Sequence, residues 1–416
     1  MRMLVAGLVV AACGFTSPAA DPTGRYAIVV KKDVAAGPWG KVVQYLETKH
    51  QGKTFAYEKT PDDVRKAVGA YHPRWVCFVC LPTENFPAFA PLANKFCRTL
   101  DDDPYVDAIW GILTGYDPDH AIGLAKSEPV VINRAFTKTQ GDWLNWVTEG
   151  DYVTEWSKNK GELGKKTAGK EVSLSKAGGP VSDPDDAKFI HKLLTEDKFD
   201  LIIGSGHGGH GDWMLMYPRG QGFLRAKDGQ LAMKAPGVDL PLSASRPKVY
   251  WAVGNCLTGV VNDNRHSFKD SYALAWMKNG AKQYIGAVQS TWYELNWSMA
   301  DWFLKQEGRW SFSESLFLLR QYSQYLLAEN LVAGRDRQGT EFTDGIFVLY
   351  GDPALDARVK KTCDPALDES LDVKETTDPG VVRMTYKVKV NFVGTGNKRT
   401  AEKYDGWCQR ALKCRQ

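Results

Sequence analysis

The sequence predicts an α/β protein with two subdomains, each a largely parallel sheet flanked by helices, and a small C-terminal β segment. The first observation is that short apolar runs alternate with amphipathic helical stretches, over 21–136 and again over 182–357. This alternation is typical of parallel strands joined by helices. The second observation is that apolar and polar residues alternate one by one over 382–392, within the segment 358–416. A period of two indicates a half-buried antiparallel strand.

The composition narrows the class of protein. At roughly 150 residues per domain, 416 residues correspond to two or three domains. Hydrophobic residues make up 43% of the chain and charged residues 25%, which excludes disorder for most of it. A net charge of +4 without a concentrated basic stripe argues against a nucleic-acid partner. Because no apolar run approaches the roughly 18 residues of a bilayer span, we expect no membrane span.

In the N-terminal block, 21–136, apolar runs predict strands and a 3.6-residue period predicts the helices that alternate with them. Pro61 stands in the first turn of one helix, where a missing amide costs no hydrogen bond. The predicted strands cover 26–30, 54–57, 75–81 and 107–113, and the predicted helices cover 39–50, 61–71 and 118–126.

Residues 137–181 are rich in Lys and Gly and show no sustained periodicity, so we expect a linker or an exposed insertion. In the second block, 182–357, Ser182 is predicted to cap a helix, and Ser311 with Glu314 forms the capping box of a longer one. The predicted strands of this block cover 200–204, 249–253, 284–288 and 346–350, and a further helix covers 267–279.

The N-terminus, 1–20, has the order of an export signal. Arg2 precedes a short apolar stretch over 4–12, and small residues follow it. We therefore expect an exported protein that is secreted, periplasmic or at the cell surface. The motif Val-Ala-Ala-Cys that ends at Cys13 also resembles the lipobox of bacterial lipoproteins, in which Cys13 would carry a lipid anchor.

The cysteine count is informative in an exported protein. Eight cysteines less the one in the leader leave seven, so six could form disulfide bonds while one thiol stays free. Cys77 and Cys80 lie three positions apart in a predicted strand, so their side chains point to opposite faces and form no metal or redox pair. Three further cysteines cluster near the C-terminus and are candidates for cross-linking it: Cys363, Cys408 and Cys414.

Two chemically reactive side chains follow predicted strands of the second block. A Gly-His-Gly motif containing His207 follows the strand 200–204, and Cys256 follows the strand 249–253. The carboxyl ends of parallel strands form the ligand-binding edge of an α/β sheet, so we expect His207 and Cys256 to meet there. A thiol attacks a carbonyl as the thiolate, which a neighbouring imidazole generates and stabilises. The amides of Gly208 and Cys256 could bind the resulting oxyanion.

These motifs resemble the His-Gly and strand-Cys signature of caspase-like cysteine peptidases, and in particular the gingipain family. The His207 loop is followed by Trp213, and Cys256 is followed by Gly259. Two further segments add to the resemblance, which covers the chain from the first predicted strand to the end of the second block. They are Gly-Asp-Pro at 351–353, similar to the end of the gingipain catalytic domain, and 287–292, similar to a strand and Ser-Thr turn beside its specificity pocket.

The resemblance implies two caspase-like subdomains and a thiol nucleophile that cleaves a protein or peptide substrate. Cys256 would attack the carbonyl carbon and His207 would protonate the leaving amine. The backbone amides of Gly208 and Cys256 would hold the oxyanion, and no cofactor would be required. The candidate specificity pocket would contain Ser290, Thr291 and Trp292.

The chain departs from the family pattern in three places. Asn255 stands where the family usually has Ala, so a secondary role for Asn255 in the site is open. His210 is a second histidine in the same loop, and its role is either catalytic or structural. A predicted strand begins within a few residues of the leader, which leaves no room for the long propeptide of gingipains.

The candidate residues also have structural interpretations. Cys256 could be a core thiol or a disulfide partner, and His207 could be a loop histidine bonded to backbone. His207, His210 and Asp212 could form a zinc cluster, but no further histidine follows at a usual ligand spacing, so we predict no metal site. The acidic run 101–103 could bind calcium, although such runs are commonly solvated turns.

The sequence therefore predicts an exported cysteine endopeptidase. One alternative is a catalytically inactive relative that binds peptides or surface polymers in the same cleft, which Asn255 and the absent propeptide favour. The other alternative is a cysteine transpeptidase or protein-maturation enzyme that uses the same thiol chemistry.

Overall fold

The computed structural model describes residues 24–176 and 179–361, together with the backbone of 367–375 and 382–390. Residues 25–362 form one compact unit. The predicted leader 1–20 with its candidate lipid-anchor residue Cys13 lies outside the described residues. So do the three cysteines near the C-terminus, Cys363, Cys408 and Cys414.

Helices and strands alternate through much of this unit, as the sequence predicts. The strands among the described residues are β1 (Tyr26–Lys31), β2 (Lys53–Tyr57), β3 (Trp75–Val79), β4 (Ile109–Leu113), β5 (Val130–Ile132), β6 (Arg134–Thr137), β7 (Glu149–Val153), β8 (Leu163–Lys166), β9 (Ser173–Ser175), β10 (Leu201–Gly204), β11 (Asp212–Met214), β12 (Phe223–Lys227), β13 (Gln230–Ala235), β14 (Val238–Leu242), β15 (Lys248–Ala252), β16 (Ala281–Ala287), β17 (Phe347–Tyr350), β18 (Ala357–Val359), β19 (Leu367–Glu375) and β20 (Val382–Val390). The α-helices are α1 (Lys32–Ala36), α2 (Gly40–His50), α3 (Arg65–Tyr71), α4 (Phe89–Cys97), α5 (Pro118–Ala125), α6 (Asp183–Thr195), α7 (Tyr272–Lys278), α8 (Ala300–Phe303), α9 (Phe312–Ala328) and α10 (Gly334–Thr343). Among the described helices, none is both long and apolar enough to cross a bilayer.

One 12-stranded sheet runs through the unit in the order β2-β1-β3-β4-β17-β16-β15-β10-β6-β7-β8-β9. Neighbouring strands are parallel from β2 to β17 and from β16 to β7. Strands β3, β4 and β15 are buried along almost their whole length, which is why their sequences are continuous apolar runs. Helices α2, α9 and α7 pack against β1, β4 and β16. The predicted fold class, α/β with a mostly parallel sheet flanked by helices, is confirmed.

Strand β17 joins the two halves of the sheet. Tyr350 of β17 pairs in parallel with Ile112 of β4 and in antiparallel with Tyr284 of β16. The two blocks that the sequence predicts as subdomains therefore share one continuous sheet. The predicted subdomain boundaries themselves stay a prediction.

The segment 137–181, for which the sequence predicts a linker or an exposed insertion, contains three strands, and its role as a linker stays a prediction. Strand β7 pairs in parallel with β6, and β8 and β9 extend the sheet in antiparallel. Tyr152 and Val153 of β7 are buried, whereas β9 is exposed along its length. Strands at a solvent-facing edge need few apolar residues, so no apolar run marks them in the sequence.

A second, antiparallel sheet of four strands, β11 to β14, lies in the chain between β10 and β15. Sequence prediction missed it, although the signal is present over 223–235. Leu224, Leu231 and Met233 are buried, and their neighbours in the sequence are more exposed. Asp228 and Gly229 turn the chain between β12 and β13 with positive φ at both residues, as two-residue hairpin turns require.

The predicted helix caps are confirmed. The Ser182 hydroxyl accepts a hydrogen bond from the Asp185 amide at the start of α6. Ser311 and Glu314 form the predicted capping box of α9, in which the Ser311 amide donates to the Glu314 carboxylate at 2.8 Å. Each cap satisfies amides that the first helical turn leaves unpaired.

The C-terminal unit contains an antiparallel hairpin of β19 and β20, in which Leu367 pairs with Val390 and Glu375 with Val382. The predicted antiparallel strand over 382–392 is therefore confirmed for Val382–Val390.

Candidate active site

Three neighbouring parallel strands end at one edge of the sheet, and each is followed by a candidate residue. Strand β10 leads to His207, β15 leads to Cys256, and β16 leads to Thr291. Strand β15 lies between the other two and is parallel to both. The carboxyl ends of parallel strands share an edge, so the three loops converge there.

The loops that carry His207 and Cys256 are in direct contact. The Asn255 side-chain amide donates a hydrogen bond to the Gly206 carbonyl at 3.2 Å. A Cβ atom on Gly208 would lie 3.0 Å from the Cys256 carbonyl oxygen and 2.8 Å from the Thr258 side chain. Only glycine fits at position 208, because any side chain there would push the two loops apart.

The Cys256 thiol is free and partly exposed. Its sulfur accepts a hydrogen bond from the Thr291 amide at 3.2 Å, and the Thr291 hydroxyl lies 3.6 Å away. That hydroxyl donates to the Gly254 carbonyl at 3.1 Å, which fixes the Thr291 side chain. The Thr291 amide therefore holds the Cys256 sulfur in one position at the end of β15.

The chain turns sharply after Cys256. Leu257 has φ +60°, in the left-handed region that a branched side chain rarely adopts. Buried tyrosines hold the turn, since Tyr284 donates to the Thr258 carbonyl at 2.9 Å and Tyr350 donates to the Gly259 carbonyl at 2.7 Å. Strained backbone held by its surroundings is common where a reactive side chain must be presented.

The His207 ring is exposed and packs against the Tyr217 ring, with 4.8 Å between centroids. The His207 carbonyl accepts from the Met214 amide at 3.0 Å, and the Gly209 amide donates to the Asp212 carbonyl at 2.8 Å. These two bonds join the segments 207–209 and 212–214 on either side of Gly208. The Gly208 amide itself therefore points away from the segment 212–214. The Gly208 amide takes no part in the bonds between these two segments, and its role in an oxyanion hole stays a prediction.

Sequence prediction missed Glu155, whose carboxylate lies behind the His207 loop. The Ser205 hydroxyl donates to this carboxylate, and the Glu155 carbonyl accepts from the Tyr217 amide at 2.6 Å. Burial raises the pKa of Glu155 to about 7, and it outweighs the opposing effects of the Ser205 hydrogen bond and the Lys138 charge. Glu155 lies in the segment expected to be a linker, where the sequence offers no signal that it is buried.

A buried ion pair lies next to the segment that contains Glu155. Lys138 is fully buried, and its ammonium group lies 3.2 Å from the Asp186 carboxylate and donates to the Thr154 carbonyl at 3.1 Å. Burial lowers the pKa of Lys138 and raises the pKa of Asp186, and their mutual attraction opposes both shifts. The pair thereby anchors the residue that precedes Glu155.

Of the candidate specificity residues, Ser290 is exposed and Trp292 is 44% exposed. The Trp292 ring contacts the Phe342 ring at 5.7 Å, and the Arg335 guanidinium lies 5.7 Å above it. Trp292 is next in the chain to Thr291, which bonds Cys256. An exposed aromatic ring beside the thiol offers a surface on which a substrate side chain can stack.

The two residues with uncertain roles have different environments. Asn255 is buried between the loops, so its amide links them. His210 is buried: its Nε2 bonds the Ser267 carbonyl at 3.0 Å, and its ring stacks on His266 with 5.0 Å between centroids. Burial lowers the pKa of His210 and favours the neutral ring.

A groove of about 790 Å³ lies beside the turn that follows Cys256. Leu257, Gly209 and His210 line it, and β12 and β13 contribute Arg225 and Lys234. The groove therefore has charged walls and opens next to both site loops.

The expected disulfide pattern is wrong for the described cysteines. Cys77, Cys80, Cys97 and Cys256 are all free thiols, so six of the seven cannot be paired. The first three are buried, and burial raises the pKa of each thiol. Cys256 differs from them in being partly exposed.

The acidic run 101–103 lies near a third carboxylate. Asp101 and Asp103 group with Asp107, and burial together with the Asp101 charge raises the pKa of Asp107 to about 6. Asp101 and Asp103 are exposed, and the interpretation of 101–103 as a solvated turn stays a prediction.

Comparisons with known proteins complete the description of the site. No protein-family model matches the sequence, and no curated protein is detectably similar to it. Among solved structures, the chain is similar to the Arg-specific cysteine proteinase gingipain R, with a TM-score of 0.49 and 11% sequence identity. The match covers 86% of this chain and 83% of gingipain R, and at this level of similarity it says nothing about the activity of the chain.

Proposed function

We propose that the protein is a cysteine endopeptidase that cleaves peptide bonds with Cys256 as nucleophile and His207 as general acid and base. The observation that carries the proposal is the convergence of a free, partly exposed thiol and an exposed imidazole on two loops in contact. Other described thiols are buried, so Cys256 alone among them is accessible to a substrate.

In the first step, the Cys256 thiolate attacks the carbonyl carbon of the scissile peptide bond. The negative charge that develops on the carbonyl oxygen is held by the amides of Gly208 and Cys256. His207 then gives its proton to the leaving amine, and the C–N bond breaks to leave a thioester on Cys256. In the second step, His207 takes a proton from water, which attacks the thioester and releases the acid product and the thiol.

Three residues would position these groups. The Thr291 amide would hold the sulfur, and the Asn255 amide would hold the two loops at a fixed distance. Tyr217 and the segment that contains Glu155 would hold the His207 ring. Fixing reacting groups in this way lowers the entropic part of the barrier.

The substrate would be a protein or peptide that lies across the sheet edge. Trp292 offers an exposed aromatic surface, and the groove beside Leu257 has walls of both charges, since Asp263 and Asp270 also line it. We also propose that the chain is exported through its leader, 1–20. N-terminal sequencing of the chain recovered outside the cytoplasm tests export, and a lipid-modified Cys13 would appear as a mass increase.

The test of peptidase activity is labelling by a peptide that carries a thiol-directed electrophile. We expect one adduct, located by mass spectrometry at Cys256, and cleavage of a peptide library by the same preparation. Cys256→Ala is expected to lose both labelling and at least about a thousandfold of the cleavage rate. Cys80→Ala is the matched control, because it removes a buried free thiol and should change neither.

The alternatives are distinguished by the outcome. Cleavage that persists in Cys256→Ala would contradict the peptidase proposal. Peptide binding without labelling or cleavage would indicate the inactive binding protein. Labelling at Cys256 with product formation only when a primary amine is added would indicate a transpeptidase.

A further inference from the structure

Two histidines and an aspartate, distinct from His207 and Cys256, form a second cluster of side chains. His210 follows His207 on the loop after β10, while Asp263 and His266 lie in the segment between the Cys256 turn and α7. One ligand atom from each of His210, Asp263 and His266 lies within 4.8 Å of the other two. The same three residues line the groove together with Leu257.

His210 has a ring nitrogen without a partner. The ring is buried, with 6% of its surface exposed, and its Nε2 bonds the Ser267 carbonyl at 3.0 Å. A carbonyl oxygen only accepts, so Nε2 carries the proton and Nδ1 of the neutral ring presents a lone pair. Nδ1 is buried and has no hydrogen-bond partner. A histidine that binds a metal through one nitrogen and donates the other to a backbone carbonyl has this arrangement.

Asp263 is held in place by backbone. Its Oδ1 accepts hydrogen bonds from the Arg265 amide at 2.7 Å and the His266 amide at 2.6 Å. The other oxygen, Oδ2, lies 3.1 Å from Nδ1 of His266. Two ligands of a tetrahedral zinc, each at roughly 2.0–2.1 Å from the metal, lie about 3.3 Å apart. The Asp263 and His266 atoms are hydrogen-bonded to each other, and their separation is close to that of two ligands on one zinc.

We propose that His210, Asp263 and His266 bind a divalent transition metal, zinc in the first place, with the fourth position open to the groove. Two imidazole nitrogens and one carboxylate oxygen form a donor set that suits zinc better than calcium or magnesium, which prefer oxygen ligands. Half of the His266 side chain is exposed, at 53%, so its ring can turn toward the metal without repacking the core.

The metal would connect the two site loops. His210 belongs to the loop that carries His207, and Asp263 with His266 belongs to the segment that follows Cys256. A zinc ion that bridges them would stabilise the folded chain by mass action, because only the folded state brings the three ligands together. This inference concerns metal binding alone and does not depend on peptidase activity.

The test is zinc titration of the full-length metal-free protein by calorimetry, in the wild type and in Cys256→Ala. We expect one zinc per chain with equal affinity in both, and an increase of the thermal midpoint with zinc. His266→Ala, at an exposed position, should weaken binding by more than the roughly tenfold that loss of an outer-shell partner costs. His191→Gln is the matched control, because His191 lies on α6 outside the cluster, and it should bind as the wild type does.

Cobalt as a spectroscopic substitute identifies the ligands. We expect visible d–d bands of a four-coordinate site in the wild type and in Cys256→Ala, without a thiolate-to-cobalt charge-transfer band. The bands should be lost in His266→Ala. The proposal is overturned if binding is undetectable, if His266→Ala binds zinc as tightly as the wild type, or if binding requires Cys256.

Discussion

The backbone amide of Thr291 donates a hydrogen bond to the sulfur of Cys256 across 3.2 Å, between the segments that follow two neighbouring parallel strands. The bond links the segment after β16 to the turn after β15 that contains Cys256. A donor fixed by backbone cannot rotate away as a side chain can, so it holds the sulfur in one position. This relationship makes the reactivity of the thiol depend on position 291.

Removing the Thr291 amide should lower the rate at which the Cys256 thiol reacts with an alkylating reagent. Thr291→Pro lacks the donor that holds the sulfur, and since an ordinary hydrogen bond contributes about 0.5–1.5 kcal/mol, we expect alkylation of Cys256 by iodoacetamide to slow by roughly two- to tenfold. Thr291→Val keeps the amide and loses only the hydroxyl, so it should react close to the wild-type rate. Equal alkylation rates in Thr291→Pro and Thr291→Val, with unchanged circular dichroism, would show that the amide does not activate the sulfur.

Asn255 should matter more for activity than for stability. Asn255→Ala loses one hydrogen bond to the Gly206 carbonyl, but it also removes a buried side-chain oxygen that has no partner. These effects oppose each other, so we expect the free energy of unfolding to change by no more than about 1 kcal/mol. The loops that carry His207 and Cys256 would lose their link, and kcat for peptide cleavage should fall while KM changes little.

Urea unfolding and steady-state kinetics of the same preparations check this expectation. Asn262→Ala is the control, because Asn262 makes a similar side-chain bond to the Thr83 carbonyl at an exposed position. An Asn255→Ala variant with wild-type kcat would mean that packing alone positions the loops.

The sequence predicts the parts of the site that follow apolar strands, and the reason is local. The runs before His207 and Cys256 are buried β10 and β15, so their ends can be located from composition alone. Ser290 and Thr291, before Trp292, also follow a buried strand, β16. The resemblance to gingipains predicts that they lie beside the specificity pocket. Parallel pairing of these strands then brings the residues to one edge.

The residues that sequence reasoning missed are positioned by contacts between distant segments. Glu155 meets Ser205 across 50 positions, and nothing near Glu155 in the sequence indicates burial. Asn255 departs from the family pattern, which the sequence shows. Its bond to the Gly206 carbonyl, however, depends on the pairing of β10 and β15. The cysteine count predicted disulfide bonds, but it does not show that Cys77, Cys80 and Cys97 are separately buried.

The Gly-Asp-Pro segment contains a carboxylate that should control acid stability. Asp352 is buried and accepts hydrogen bonds from Tyr26 at 2.9 Å, Lys49 at 3.0 Å and His50 at 2.7 Å. Burial opposes ionisation, but the His50 and Lys49 interactions outweigh it and lower the pKa of Asp352 to about 2. Because the folded-state pKa lies below the unfolded value, the stabilisation is present above about pH 4 and is lost as the pH falls toward 2.

Asp352→Asn should therefore lower the free energy of unfolding at neutral pH by about 2 kcal/mol or more, and the difference from the wild type should shrink in acid. Urea unfolding of both proteins at a series of pH values measures this difference in the free energy of unfolding. Asp356→Asn is the control, since Asp356 is exposed and pairs with Arg358 at the surface. A difference between wild type and Asp352→Asn that is independent of pH would show that the Asp352 charge is not responsible.

Glu155 should give the opposite pH dependence. The pKa of Glu155 is raised from 4.5 to about 7 by burial, so the folded protein holds this proton more tightly than the unfolded chain does. The free energy of unfolding therefore falls as the pH rises from about 4.5 to about 7, by up to about 3 kcal/mol, and changes no further above that range. Glu155→Gln resembles the protonated carboxyl and can still accept from Ser205, so it should lack this decline.

Urea unfolding of the wild type and Glu155→Gln near pH 5 and near pH 8 measures the effect. We expect similar stability at the lower pH and a more stable variant at the higher pH. Glu149→Gln is the control, because Glu149 is partly exposed and pairs with Arg134 at the edge of the sheet. If the wild type and Glu155→Gln lose stability in parallel, the Glu155 carboxyl ionises without cost, and its burial behind the His207 loop does not shift its proton affinity.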